Sequence, residues 1–388
     1  MMTVIESQER VSRLQKRLIA NGVQAALLLI PIDVYYFTGT RQNAVLWVPA
    51  DGEPVLLVRK SLSRARAEGL IADIRPFPSS KELSAVLGEK YVTVGMTFDA
   101  VPVQQHLFYS KVLPGRTFVD ISMIIRELRS VKSPAELELL RFSAQKFSSV
   151  LSQVPTFLRE GMRELDLAAE VEYRLRRIGH EGYVRMRAFN QEICGGVAVA
   201  SSATSYGFFD GPVSGKGLSS ASPQGASLDE IRAHVPIMID FVGVFNGYMV
   251  DMSRIFVIGS LDPELQRAFD VSLDIQEHVR QSMVPGAVCE EIYQEAVMMA
   301  EKAGLGGCFM GMPGEQSRFV GHGVGLELDE LPVFAPGFSM QLIAGQVVAV
   351  EPKFVIPRKG VVGIENTFVV TADGGERLSD LPDRIVAI

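Results

Sequence analysis

Two stretches of this 388-residue chain echo one another, and an internal repeat restricts the available folds more than any single motif does. Gly161–Gly179 and Gly286–Gly304 each run from glycine to glycine over 18 residues, with acidic residues early and apolar residues on one face. Each spells an amphipathic helix that stops at a glycine just past its last turn. Each is followed by β-rich runs that carry acidic residues. These are PIMID (236–240) and DMSRIFVI (251–258) in the first half, VVAVE (347–351) and IENTFVV (364–370) in the second. Asp251 and Glu365 even share a hydroxyl two residues on, at Ser253 and Thr367. The expectation is one duplicated, pseudo-twofold α+β domain in the C-terminal two thirds of the chain.

The first third reads differently. Val11, Leu14, Leu18 and Ile19 lie at helical spacing over residues 8–22, with Gly22 as the stop. Strand-like runs follow at 25–30, 34–39, 43–49 and 53–58, then a helix near 60–70 and a strand near 91–98. This alternation describes a small α/β domain, residues 1–130. The second domain, 131–388, opens on a helix with Ser133 as N-cap, Pro134 at the first helical position and Glu136 completing a capping box.

Composition narrows the function classes. No apolar run approaches the ~20 residues of a membrane span, and the charged stretch MMTVIESQERVSRLQKRL lacks the apolar centre of a secretory signal. Three cysteines (Cys194, Cys289, Cys308) without a CxxC argue against a disulfide framework and fit a reducing compartment. A cytoplasmic protein is expected. With 38 Lys+Arg against 45 Asp+Glu the net charge is −7, so no general attraction to nucleic acid or anionic membranes is expected. The GHGVG turn lacks GxGxxG spacing, and DGPVSGKG (210–217) has Asp210 and Gly217 where a P-loop needs Gly and Ser or Thr. Nucleotide binding is therefore not expected.

The chemistry gathers at the ends of the apolar β-runs. Asp240, Asp251, Glu351 and Glu365 all sit there, and buried carboxylates are costly unless paired or bound to a cation. His322, in the glycine-rich turn FVGHGVGLELDE, adds an imidazole, with Gly321, Gly323 and Gly325 read as allowing close backbone approach to a ligand. Four carboxylates and one imidazole suit two divalent cations, Mn²⁺ first, with Co²⁺, Zn²⁺ or Fe²⁺ as alternatives. Two such ions can acidify a water and polarise a carbonyl, which is amide hydrolysis.

These residues resemble the pita-bread metallohydrolases, the family of prolidase, aminopeptidase P, methionine aminopeptidase and creatinase. The resemblance runs over nearly the whole chain. It is most specific in DFVGVFNGYMVDMSR (240–254), GHGVGLELDELP (321–332), VVAVEPKFVIP (347–357) and GVVGIENTFVVT (360–371). It implies a creatinase-type N-terminal domain and a pita-bread catalytic domain. It also implies metal ligation by Asp240, Asp251, His322, Glu351 and Glu365, with Asp251 and Glu365 bridging and Glu351 as general acid/base. A homodimer acting on a short Xaa-Pro peptide through metal-activated hydroxide is the corresponding function.

Three family histidines are replaced. Their positions hold Gln224, Arg318 and Asp329, read as substrate contacts, Arg318 as a clamp for a substrate carboxylate. Tyr248 is read as a packed aromatic, His234 as structural, and Arg254 as a partner of the metal carboxylates. The replacements keep two other readings open. One is a hydrolase of a small non-peptide amide or other C–N bond, as in creatinase-like and ectoine-hydrolase-like relatives. The other is a non-catalytic binding module.

Overall fold

The computed structural model describes residues 2–187, 192, 193 and 195–388. Cys194 lies outside the described residues. The chain forms two compact units, one of Met1–Arg129 and Arg187–Asn190, the other of Ser130–Met186 and Gln191–Ile388.

The first unit is built on a six-stranded mixed sheet in the order Asp73–Pro76, Val55–Val58, Ala44–Pro49, Ala25–Leu28, Thr93–Met96 and Thr117–Asp120. Its core includes Leu27, Trp47, Leu57, Val94 and Met96. The helix Val4–Ala20 starts at an N-cap, Thr3, whose hydroxyl accepts from the Glu6 amide. The expected strand at 34–39 is instead part of a helix, Pro31–Thr38. Pro31 pre-sets the first turn, Gly39 closes the last at φ 76°, and the one outward side carries Pro31 and Tyr35 rather than charged residues, so no polar face betrays the period. Asp33 on that helix is fully buried and bonds to Arg129 and Arg187, and Arg187 also reaches Asp99.

The second unit carries the duplication. Both repeat segments form 14-residue helices, Glu164–Arg177 and Cys289–Lys302. All four bounding glycines have left-handed backbone: Gly161 at 82°, Gly179 at 100°, Gly286 at 92° and Gly304 at 74°. That region costs a residue with a Cβ and suits glycine. Before each lies a longer helix, Pro134–Leu151 and Pro263–Ser282, and the capping box at Ser133 and Glu136 is formed.

After each helix pair come the strands. The first half pairs Gly196–Val199, Ile237–Phe245 and Tyr248–Val257, with Val386–Ala387 on the outer edge. Asn246 (φ 51°) and Gly247 (φ 81°) make the tight turn of the long hairpin, the backbone that an Asn-Gly pair favours. The second half pairs Gly321–Gly323, Val347–Val350 and Asn366–Thr371 within a five-stranded sheet and extends as Lys353–Ile356 against Gly360–Gly363. The halves meet where the Ser253 amide donates to the Glu365 carbonyl.

Leu265, Phe269, Ile275 and Val279 of one helix and Ile292, Ala296 and Ala300 of the next share a core with Val348, Val350, Phe354 and Phe368. Each such large side chain contributes about 1.5–3 kcal/mol through removal from water. Among the described residues no helix is long and apolar enough to cross a membrane.

Candidate active site

Strand register gathers the acidic residues. In the first hairpin Asp240 lies opposite Ser253, and Val242 opposite Asp251. Because side chains alternate faces with period two, Asp240 and Asp251 share one face as diagonal neighbours. In the second half the last ladder pair is Val350 with Asn366, so Glu351 and Glu365 come next on facing chains, and the same register resumes at Lys353 opposite Gly363. Glu351 and Lys353 are two residues apart and therefore also face the same way. His322 sits on the short strand Gly321–Gly323 beside Ala349.

All eight residues singled out in the sequence, Gln224, Asp240, Asp251, Arg318, His322, Asp329, Glu351 and Glu365, line one cavity of about 350 Å³ in the second unit. Its apolar wall includes Phe209, Phe241, Phe319 and Phe338. Asp210, Gly211, Pro212 and Val213 line it too, a role that the sequence of that loop did not suggest.

The charged centre departs from the expected arrangement at one residue. Lys353, 1% exposed, places its Nζ 2.7 Å from Asp240 Oδ2, 2.6 Å from Glu351 Oε2 and 2.9 Å from Glu365 Oε2. The signal for it was available: a lysine two residues after Glu351 in an otherwise apolar β-run belongs on the carboxylate face. Gly363 opposite leaves room for the lysine stem, since a Cβ there would lie 2.8 Å from Lys353 Cγ.

The other carboxylate oxygens define a second position. Asp251, His322 and Glu365 each offer one ligand atom, all within 4.8 Å of one another and all buried. Asp251 Oδ1 and Glu365 Oε1 have no hydrogen-bond partner. The His322 Nδ1 proton goes to the Leu328 carbonyl at 3.1 Å, which leaves the Nε2 lone pair for the cavity, and Glu351 Oε1 lies 3.6 Å from Nε2. Two unpartnered anionic oxygens and an open imidazole nitrogen fit one divalent cation.

Electrostatics agree with a shortage of positive charge. Burial, with Asp240 adding to it, pushes the Asp251 carboxyl well above the usual carboxylate range, and burial next to Asp251 does the same to Glu365. Burial opposes charge on Lys353 and His322. Asp240, Glu351 and Glu365 outweigh it at the lysine, whose pKa lies well above the ordinary lysine value. Asp329, Glu351 and Asp251 outweigh it at the histidine, whose pKa is also raised.

Several neighbours play other parts than expected. Gly321 and Gly323 accommodate protein backbone rather than a ligand: a Cβ would lie 2.8 Å from Ala349 O and 2.4 Å from Leu331 O. Arg254 does not reach the carboxylates of Asp240, Asp251, Glu351 or Glu365. It donates to the backbone carbonyls of Glu365 and Ser253, to Asn366 and to Asp383, because its strand partner turns it to the opposite face from Asp251 and Ser253. Tyr248, by contrast, is buried as a packed aromatic should be, and its hydroxyl donates to Glu136 at 2.9 Å. His180 holds the Val242 carbonyl at 2.8 Å, and His234 lies against Ser260. Asp329 comes within 3.5 Å of His322 Nδ1.

A duplicated pita-bread fold closing over a carboxylate and imidazole centre defines a metallohydrolase. Residues 138–372 match the model of metallopeptidase family M24, and residues 10–131 match the creatinase/prolidase N-terminal domain. The chain belongs to metallopeptidase family M24. It is 26% identical over 377 residues to an Xaa-Pro dipeptidase of Pyrococcus furiosus, covering 96% of this chain and 98% of the relative. Its fold matches an Xaa-Pro dipeptidase from Bacillus anthracis with a TM-score of 0.83 at 21% identity, over 98% of this chain and 100% of that one. The prolidase of Pyrococcus horikoshii matches at 0.80 and 23%, over 96% and 99%.

Proposed function

We propose that the protein hydrolyses short Xaa-Pro peptides in a divalent-metal-dependent reaction, with residues 131–388 as the catalytic part. The observation that carries this reading is the Asp251, His322 and Glu365 cluster with its unpartnered oxygens at the wall of a dipeptide-sized cavity. A divalent ion held there, Mn²⁺ by preference for so oxygen-rich a set, supplies Lewis-acid polarisation of a carbonyl and acidification of a water. The cluster accounts for one ion, where the sequence alone suggests two.

The chain's own residues divide the remaining work. Glu351, one of whose oxygens is fixed by Lys353, uses the other to take a proton from the attacking water and return it to the leaving nitrogen. Arg318, exposed at the cavity, receives the C-terminal carboxylate of the peptide as a two-pronged contact. Gln224 and Asp329 border the same space, Asp329 steering His322 through its Nδ1 side. The aromatic wall excludes water around the scissile bond.

Three histidines of the family pattern are replaced, which supports a second reading: a hydrolase of a small non-peptide C–N bond on the same scaffold. Mn²⁺-loaded protein assayed against Xaa-Pro dipeptides and longer Xaa-Pro peptides separates the two, and no turnover of any of them overturns the peptidase reading. We also place the protein in the cytoplasm as a homodimer. Support for a reducing compartment comes from Cys289 and Cys308, both free, with burial pushing the Cys289 thiol up to about 12. Light scattering tests the dimer.

A further inference from the structure

We propose that Lys353 permanently replaces one of two divalent ions, so that the centre binds a single metal ion at Asp251, His322 and Glu365. The inference rests on reading that cluster as a divalent-metal site.

The ammonium of Lys353 is saturated. A lysine ammonium has three N–H donors, and Lys353 finds three carboxylate oxygens, at 2.7, 2.6 and 2.9 Å, from Asp240, Glu351 and Glu365. Those oxygens surround one point, which the nitrogen fills. A metal ion using the same oxygens would have to displace it.

Geometry holds the lysine there. Its backbone is paired with Gly363, and its carbonyl accepts the Met310 amide at 2.8 Å. The stem runs through space that a side chain at position 363 would fill. The nitrogen is therefore delivered by the strand, as Glu351 is.

The carboxylate oxygens are divided between two positions. Glu365 gives Oε2 to Lys353 and keeps Oε1 unpartnered, next to the unpartnered Asp251 Oδ1. It bridges an ammonium and a metal position, where two metals would otherwise be bridged. The formal charge agrees: four carboxylates and one ammonium leave −3, which one divalent ion reduces to −1. A second ion would turn the centre positive and put a dication against an ammonium.

The test counts ions in the full-length protein. Chelator-stripped protein is dialysed against excess Mn²⁺ and its metal content measured per chain, and the Mn²⁺ is examined by electron paramagnetic resonance. One ion per chain with the six-line signal of an isolated ion is expected for the wild type. Lys353→Gly and Lys353→Ala, checked for native circular dichroism, are expected to double the content to two and to give an exchange-coupled signal. Two ions or a coupled pair in the wild type overturns the proposal, as does a folded variant of either kind that still binds one. No bound ion at all removes the metal reading and the inference with it. One bound ion without Xaa-Pro turnover sinks the peptidase reading alone and leaves Lys353 as described.

Discussion

The Thr367 hydroxyl serves both backbone groups of Asp251, accepting from its amide at 3.1 Å and donating to its carbonyl at 2.8 Å. Asp251 faces Val242 in a pair whose amide looks away, towards Gly195, so the hydroxyl of the other half stands in for a ladder partner. Thr367→Val keeps the shape and removes both bonds. A buried backbone donor or acceptor left unmade costs about 1–3 kcal/mol. Urea unfolding should show a loss of at least about 2 kcal/mol, with Thr367→Ser close to wild type.

Glu351→Gln keeps the volume and loses the proton acceptor. Turnover of an Xaa-Pro dipeptide should fall by about 10²–10⁴, while bound metal per chain stays as in the wild type because the cluster of Asp251, His322 and Glu365 is intact. Steady-state kinetics with metal analysis would falsify the assignment if turnover were unchanged.

Removing the Arg318 guanidinium should be felt by the substrate's carboxylate alone. With Arg318→Met, KM for a free dipeptide should rise on the order of tenfold, since solvent at this exposed side chain weakens even a two-pronged contact. The C-terminal amide of the same dipeptide should distinguish the two proteins poorly. Equal effects on both substrates would place Arg318 in some other role.

Lys132 and Glu330 form a buried pair at 2.9 Å, and Glu330 also accepts the amides of Leu326 and Glu327 in the turn after His322. Lys132→Met strands the carboxylate without its ammonium, a loss of about 3–5 kcal/mol. Adding Glu330→Gln should return part of it in denaturant melts; a double variant no more stable than the single would contradict the pairing argument.

Burial pushes the His180 imidazole below its ordinary value, with the Val242 carbonyl pulling the other way and falling short. Above the unfolded value of about 6.5 the ring is neutral in both states, and the contribution to stability is complete. As pH falls through that value the unfolded chain takes up the proton first, so stability declines, by up to about 1.4 kcal/mol per unit of depression. The stability difference between wild type and His180→Gln should accordingly shrink from pH 7.5 to pH 5. A difference that does not vary with pH argues against a depressed imidazole.

Much of the fold was legible because local signals and global architecture agree. The glycine-bounded repeats and the Ser133 capping box each state their backbone in their own residues. Residues 34–39 read as a strand because the helix that holds most of them has no polar face, its outward side being Pro31 and Tyr35. The candidate ligands could be listed as carboxylates in apolar β-runs, although Asp240 and Asp251 lie within their strands rather than at the ends, but side-chain partners across a register could not. Lys353 shows the limit: its place two residues after Glu351 tells which face it takes, but its contact with Asp240, 113 positions away, depends on how the strands assemble. Arg254 was misjudged for the same reason, since adjacency to Asp251 in sequence puts an odd-spaced neighbour on the other face.

Because one of the cations at this centre is carried on a strand, it is present from the moment the strand forms. The carboxylates of Asp240, Glu351 and Glu365 do not have to wait for an ion from solution before they can be packed together. That part of the centre can assemble before any divalent ion arrives, and it is Asp251 Oδ1 and Glu365 Oε1 that stay without a partner until one does.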